Sequence, residues 1–173
     1  IPVFNFLTFT DAGTRDTHTV TINWGDTPLD EPGTVVESPF GPPGSVDGMF
    51  GDVFGTHVYA DDGVYTVTVT VTDDDGDSHS DSFQITVQNV APQVRPPQGQ
   101  SGVEGQTISL DNVSFFDAGT SDTHTGTIYW GDLTPTEDLI IVSEPFGPPG
   151  SAGGLTGKLQ GSHVYADNGE YEV

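Results

Sequence analysis

The 173-residue chain has 26 acidic side chains against three Lys and Arg, a formal net charge of −23 at pH 7. Such an excess of carboxylates excludes nucleic acids and anionic membrane surfaces as partners, because both are bound by Lys and Arg. The chain has no cysteine, which excludes disulfides, thiol catalysis and thiolate metal sites. No apolar run approaches the roughly 18 residues that a membrane-spanning helix needs, so we expect no membrane insertion.

The residue pattern predicts strands throughout the chain. In chain order, strands are expected near residues 4–10, 18–24, 55–60, 65–72 and 79–88. The clearest is YTVTVTVT at 65–72, where Val and Thr alternate strictly, as in a half-buried strand. The same alternation in 18–24 points Val20, Ile22 and Trp24 inward. No window has helical periodicity, so an all-β fold is predicted.

Two local motifs narrow this all-β prediction. Asp74-Asp75-Gly76-Asp77 is typical of a hairpin turn, because Asp and Gly tolerate the positive φ that such turns require. Asp61-x-Gly63-x-Tyr65 precedes the best strand and is typical of a tyrosine corner. Together with an inward Trp24, these motifs predict an immunoglobulin-like β-sandwich.

The chain is an internal repeat with a period of 106 residues. Residues 1–67 align without a gap with residues 107–173, and about half of the aligned pairs are identical. We therefore predict two modules, 1–90 with its first strand missing and 91–173 with its last two strands missing at Val173. This division favours a window on a longer tandem array, while strands supplied by a neighbouring chain remain an alternative.

The repeated motifs resemble a known family. The WGD at 24–26 and HVYADDGVYTVTVTVTDDDGD at 57–77 are similar to the polycystic-kidney-disease (PKD) domain, especially the PKD-type repeats of large bacterial surface and secreted proteins. The resemblance implies tandem immunoglobulin-like sandwiches in an extracellular or cell-surface protein. The segment between Asp26 and His57 is longer than in a minimal PKD domain. In both copies it contains the element PFGPPGS.

The predicted topology places many aspartates at the two ends of each sandwich. At one end, called here the first pole, the 11–17 loop meets the 73–77 turn. At the other, the second pole, Asp26 lies near Asp61 and Asp62. Clustered carboxylates need a counter-cation, and Ca²⁺ takes six to eight oxygen ligands in loose geometry. We therefore hypothesise calcium at the poles and at the junction of the modules.

The candidate calcium ligands are Asp11, Asp16, Asp26, Asp61, Asp62, Asp73, Asp75, Asp77, Asp117, Asp122, Asp132 and Asp167. The alternative is structural, because Asp is favoured in turns, where its carboxylate accepts hydrogen bonds from nearby backbone. Asp61 and Asp167 could serve only the tyrosine corner, and 73–77 could be a solvated hairpin tip.

No catalytic residue is predicted. His18 shares parity with Val20 and Ile22, and His57 begins a Val-Tyr strand, which favours structural roles for both and for their repeat equivalents His124 and His163. Neither copy has a Gly-x-Ser-x-Gly motif or a Cys-His pair. The predicted function is a non-enzymatic spacer, stalk or filament body that contacts neighbouring repeat modules. The alternatives are an adhesin module that binds surface glycans or another partner, and a polymerising subunit completed by a neighbouring chain.

Overall fold

The computed structural model describes residues 7–173, apart from the side chains of Asp111 and Asn112. Over this range it contains strands and turns and no α-helix, which confirms the all-β prediction. No helix that could cross a membrane occurs among these residues. The chain divides into two compact units, Ile1–Gln88 and Asn89–Val173.

The first unit is built from two antiparallel sheets. Its strands are β1 Leu7–Asp11, β2 His18–Asn23, β3 Asp30–Pro32, β4 Thr34–Pro39, β5 Met49–Phe54, β6 Gly63–Asp73 and β7 Ser78–Val87. One sheet has the order β1-β5-β4 and the other the order β3-β2-β6-β7. Strand β2 pairs antiparallel with β6, with Ile22 opposite Val69.

Both sheets of the first unit contribute to one apolar core. Val20, Ile22 and Trp24 are buried with Val67 and Val69, as the period-two alternation predicts. Val53 of β5 joins them from the opposite sheet. The two sheets therefore form the sandwich, and the outward Thr rows of β6 remain on its surface.

The second unit repeats part of this arrangement. Its strands are β8 Gln93–Arg95, β9 Thr107–Asp117, β10 Thr127–Ile128, β11 Glu137–Asp138, β12 Ile140–Pro145 and β13 Leu155–Val164. One sheet has the order β12-β13-β9-β8, and β10 pairs with β11 in a second small sheet. Phe115, Trp130 and Leu155 are among its buried core residues.

The strand predicted near 55–60 is misplaced in the first unit. The strand there is β5, Met49–Phe54, which pairs with β1 on one side and β4 on the other, and residues 55–60 are not in a strand. In the second unit, β13 covers the first corresponding stretch, 155–160, and continues to Val164, because its end pairs with residues 107–109. The repeat equivalents of residues 107–109 are residues 1–3, which lie outside the described range. Residues 4–6 of the strand predicted near 4–10 also lie outside that range.

Candidate functional site

The first pole of the first unit brings together the predicted acidic residues. The Thr17 amide donates a hydrogen bond to the Asp74 carboxylate at 3.0 Å, which ties the 11–17 loop to the β6–β7 turn. Partial burial, followed by the charges of Asp11 and of the aspartates at 73–75, raises the pKa of Asp16. The neighbouring carboxylates therefore disfavour the ionisation of Asp16.

Several first-pole carboxylates already have backbone partners. Asp11 accepts a hydrogen bond from the Gly13 amide at 2.5 Å, and Asp73 accepts one from the Asp77 amide at 2.9 Å. Asp75 and Asp77 are exposed on the turn. Part of the acidic cluster therefore stabilises its own loops, as the structural interpretation of these residues expects.

The second pole is organised around a column of stacked rings. Trp24 stacks on His57, His57 meets Tyr59 edge-on, and Tyr59 stacks on Tyr65, with centroid distances of 5.1, 4.9 and 4.3 Å. We call these four residues the ring column. The Tyr59 hydroxyl donates to the Trp24 carbonyl at 3.0 Å, so the column joins the end of β2 to the start of β6.

Acidic residues hold the ring column in place. His57 Nε2 lies 2.8 Å from Asp26 Oδ2, and Trp24 Nε1 donates to Glu31 Oε2 at 3.1 Å. The Tyr65 hydroxyl donates to the Asp61 carbonyl at 3.0 Å, which confirms the predicted tyrosine corner. Burial, followed by Asp26 and Tyr65, raises the pKa of Tyr59 to about 12.

The second unit reproduces the ring column almost contact for contact. Trp130 stacks on His163 at 5.1 Å, and Tyr165 stacks on Tyr171 at 4.3 Å. His163 Nε2 lies 2.7 Å from Asp132, which also accepts hydrogen bonds from Thr134. The Thr134 hydroxyl and His163 lower the pKa of Asp132 to about 2. Asp132 is therefore a fully ionised structural acceptor at neutral pH.

The predicted acids of the second copy have comparable structural partners. Asp117 is buried and accepts hydrogen bonds from His124 Nε2 and the Gly119 amide, both at 3.0 Å. Burial would raise the pKa of Asp117, but these bonds outweigh it and hold the pKa below its usual value. Asp122 lies against Gly119, as Asp16 lies against Gly13. Asp167 accepts a hydrogen bond from the Asn168 amide, and its carbonyl accepts one from Tyr171.

Within residues 7–173, no three His, Asp or Glu side chains are arranged to hold a metal ion. The calcium hypothesis therefore stays a prediction. Asp26, Asp61 and Asp62, predicted to lie together at the second pole, are all close enough to Tyr65 to raise its pKa, after the larger effect of burial. Glu31 and Glu137 are not among the predicted residues, although each stands seven residues after the Trp to which it is hydrogen-bonded.

One buried histidine differs between the copies. In the first unit His18 Nδ1 lies 2.6 Å from Glu37, and its Nε2 lies 3.4 Å from Asp11. In the second unit His124 Nε2 lies 3.0 Å from Asp117 Oδ2. Among the described residues each ring has one buried nitrogen without a hydrogen-bond partner, Nε2 in His18 and Nδ1 in His124. The repeat equivalent of Glu37 is Ser143, so the position that serves His18 Nδ1 carries a shorter side chain in the second unit, and a buried unsatisfied nitrogen is costly.

Replacing Glu37 with serine is expected to destabilise the first unit by about 1–2 kcal/mol at pH 6, because a charge-assisted hydrogen bond is lost. Burial lowers the pKa of His18, but Glu37 and Asp11 outweigh it and the net shift is upward. A raised histidine pKa stabilises the fold below the unfolded pKa of about 6.5 and loses that effect as pH rises through the folded value. The cost of Glu37→Ser should therefore be smaller at pH 8.5. Hydrogen exchange of the β2 amides at both pH values measures this loss of stability.

The reciprocal change, Ser143→Glu, is the matched control. It offers His124 Nδ1 the missing partner and is expected to slow exchange in the second unit at pH 6. Equal costs of Glu37→Ser at pH 6 and pH 8.5 would show that His18 does not gain charge stabilisation from Glu37.

The comparison with known families agrees with this geometry. Residues 47–87, which include β5, β6 and β7, match the family model described as PKD domain. No curated protein and no solved structure matches the chain. The PKD domain is non-catalytic, and such domains typically occur in extracellular or cell-surface proteins. Within the first unit, residues 47–87 therefore correspond to a PKD domain.

Proposed function

We propose that the chain is a non-enzymatic spacer segment of an extracellular protein, built from tandem PKD-like modules. The observation that supports this most directly is the duplicated ring column. Trp, His, Asp and Tyr recur 106 residues apart, and in both units the His lies against the Asp and a Tyr hydroxyl donates to the Trp carbonyl. The two copies thus share contacts that hold each module together internally. Shared internal contacts are expected of a repeated structural element.

Mechanical resistance is the property that tests this proposal. When the chain is pulled from its ends in a force experiment, the first unit should unfold in one cooperative step. Its length gain should be roughly 250–300 Å, from about 3.3–3.6 Å per extended residue. Strand β6 pairs on both sides, with β2 and β7, so several backbone hydrogen bonds must break together. Extension without a cooperative force peak would contradict a spacer that resists tension.

Glycan binding and polymerisation are the competing functions, and each has its own readout. Saturable binding of the isolated chain on a glycan array would favour an adhesin module. A ladder of oligomers in sedimentation velocity would favour a polymerising subunit. A monomeric particle that binds no glycan agrees with the spacer function.

We further propose that Ca²⁺ stabilises the modules by neutralising the poles. The net charge of −23 and the pKa of Asp16, which the neighbouring first-pole carboxylates help to raise after the larger effect of burial, support this proposal. Asp75, one of those neighbours, is exposed on the β6–β7 turn, where a cation can reach its carboxylate. Carboxylate oxygens on loops are better ligands for Ca²⁺ than for metals that prefer nitrogen or sulfur ligands.

Millimolar CaCl₂ is expected to raise the Tm of the chain above its value in EDTA by on the order of 5 °C, because a ligand of the folded state shifts unfolding by mass action. The measurement compares CaCl₂, MgCl₂ and NaCl at one ionic strength, since general screening also relieves self-repulsion. The variant Asp75→Asn should lose part of the calcium-specific increment. Identical Tm values in CaCl₂ and in NaCl with EDTA would overturn the calcium proposal and leave the spacer function intact.

A further inference from the structure

The outer face of the larger sheet in the second unit carries two of the three basic side chains of the whole chain. Arg95 lies opposite Ser114, Ser114 lies opposite Lys158, and Lys158 lies opposite Val142. Residues paired in this way point to the same face of a sheet. Leu159, the next residue after Lys158, is buried in the core, so the row lies on the face away from the core. We call these four cross-strand neighbours the basic row.

The first unit carries the same row with the opposite charge. The repeat equivalent of Lys158 is Asp52. Asp52 lies opposite Thr8 on one side and Val36 on the other, and the next residue, Val53, is buried in the core. We call Thr8, Asp52 and Val36 the acidic row. A carboxylate in one unit therefore occupies the place of an ammonium group in the other.

The charges of the two rows are unpaired. Among the described side chains, Asp52, Arg95 and Lys158 form no ion pair, and the ion pairs found there all join a histidine to a carboxylate. Lys158 is exposed and Asp52 is half-buried, so a second molecule can reach both charges. A lysine that is unpaired in a chain with 26 acidic side chains is available for an intermolecular contact.

Apolar side chains lie beside both charges. Val36 and Val142, the cross-strand neighbours of the two charged residues, are 52% and 50% exposed. Ile140 lies two residues before Val142 on β12 and is 66% exposed. Phe50 and Phe54, two positions to either side of the charge on β5, are half-buried. Apolar area of this kind favours association, while the central charge selects the partner.

We propose that the acidic row of one molecule packs against the basic row of a second copy, with Asp52 facing Lys158. Two chains of net charge −23 repel one another except where a basic patch meets a carboxylate, and the basic row is such a patch. Both rows lie on sheets of corresponding construction, which pack face to face at about 10 Å. The contact goes beyond the spacer function, because it holds neighbouring spacers side by side.

Charge reversal in the full 173-residue chain tests the contact. Sedimentation is measured in EDTA at about 0.15 M NaCl, where exposed charges are screened beyond roughly 8 Å. The unmodified chain is expected to self-associate as its concentration rises. Asp52→Lys and Lys158→Asp each place like charges opposite one another and should weaken association at least about tenfold. The double variant restores opposite charges and should restore association, which also shows that neither substitution unfolds the chain.

A matched control separates the pair from the overall charge. Asp81→Lys changes the net charge by the same amount as Asp52→Lys, at an exposed position of β7 in the other sheet. Because it reduces general repulsion, it should leave association equal or stronger. Association that both charge reversals leave unchanged would overturn the proposal and favour the polymerising subunit. A chain that stays monomeric up to about 1 mM would also overturn it and leave the spacer function intact.

The sequence offers a direct test of which residues meet. Lys158 is the only lysine of the chain, so a carbodiimide, which joins an amine to a carboxylate in contact with it, has one lysine to report on. Mass spectrometry of the cross-linked dimer should find Lys158 joined to Asp52. Lysine cross-links spread over many carboxylates, with none to Asp52, would show that the two rows do not meet.

Discussion

Replacing Val67 with aspartate is expected to unfold the first unit, whereas the same change at Val173 should leave the second unit folded. Val67 is 0% exposed in the centre of β6, and its repeat equivalent Val173 is 63% exposed. Removing the buried valine costs about 1.5–3 kcal/mol, and burying an unpaired carboxylate costs several more. The total approaches the roughly 5–15 kcal/mol that typically stabilises a folded domain.

Unfolding of each unit is measured by amide hydrogen exchange or by the chemical-shift dispersion of its amide signals in the NMR spectrum. Val67→Ala gives a graded version, with an expected cost of about 2 kcal/mol and a unit that remains folded. At Val173 the change should stay within roughly 0.5 kcal/mol, as for exposed positions in general. A folded first unit in Val67→Asp would mean that β6 does not hold its core together.

Replacing Gly25 with alanine is the second change with a large expected effect, about 3 kcal/mol or more. Gly25 has a φ of +85°, and a Cβ there would overlap the backbone carbonyl oxygen of Thr66. The left-handed conformation alone costs a non-glycine residue about 1–2 kcal/mol. The overlap adds to that, because a backbone atom of the paired strand cannot move aside without disturbing β6.

Gly44→Ala separates the two effects. Gly44 has nearly the same φ, +86°, but a Cβ at this position would meet no heavy atom within 4 Å. The substitution should therefore cost only the conformational term, roughly 1 kcal/mol. Denaturant unfolding of the two variants measures the difference. If both variants cost the same, the close approach of the WGD turn to β6 does not contribute to stability.

Local sequence determined the strands whose side chains alternate strictly. The Val and Thr of β6 and the Val20, Ile22 and Trp24 series of β2 can bury one face only as strands, so no distant partner was needed to predict them. The tyrosine corner was equally local, because its donor and acceptor are four residues apart. The position of β5 was not local: MFGDVF contains a glycine, and its strand is defined by β1 and β4 on either side.

The candidate sites likewise depend partly on local sequence and partly on contacts between distant residues. The sequence by itself determined that the described chain is all-β and that several of its aspartates, such as Asp26 and Asp61, lie in turns between strands. Only the tertiary structure decided which group each carboxylate binds. Asp26 and His57, for example, are 31 residues apart in the sequence and meet only because folding brings the residues after β2 against the ring column.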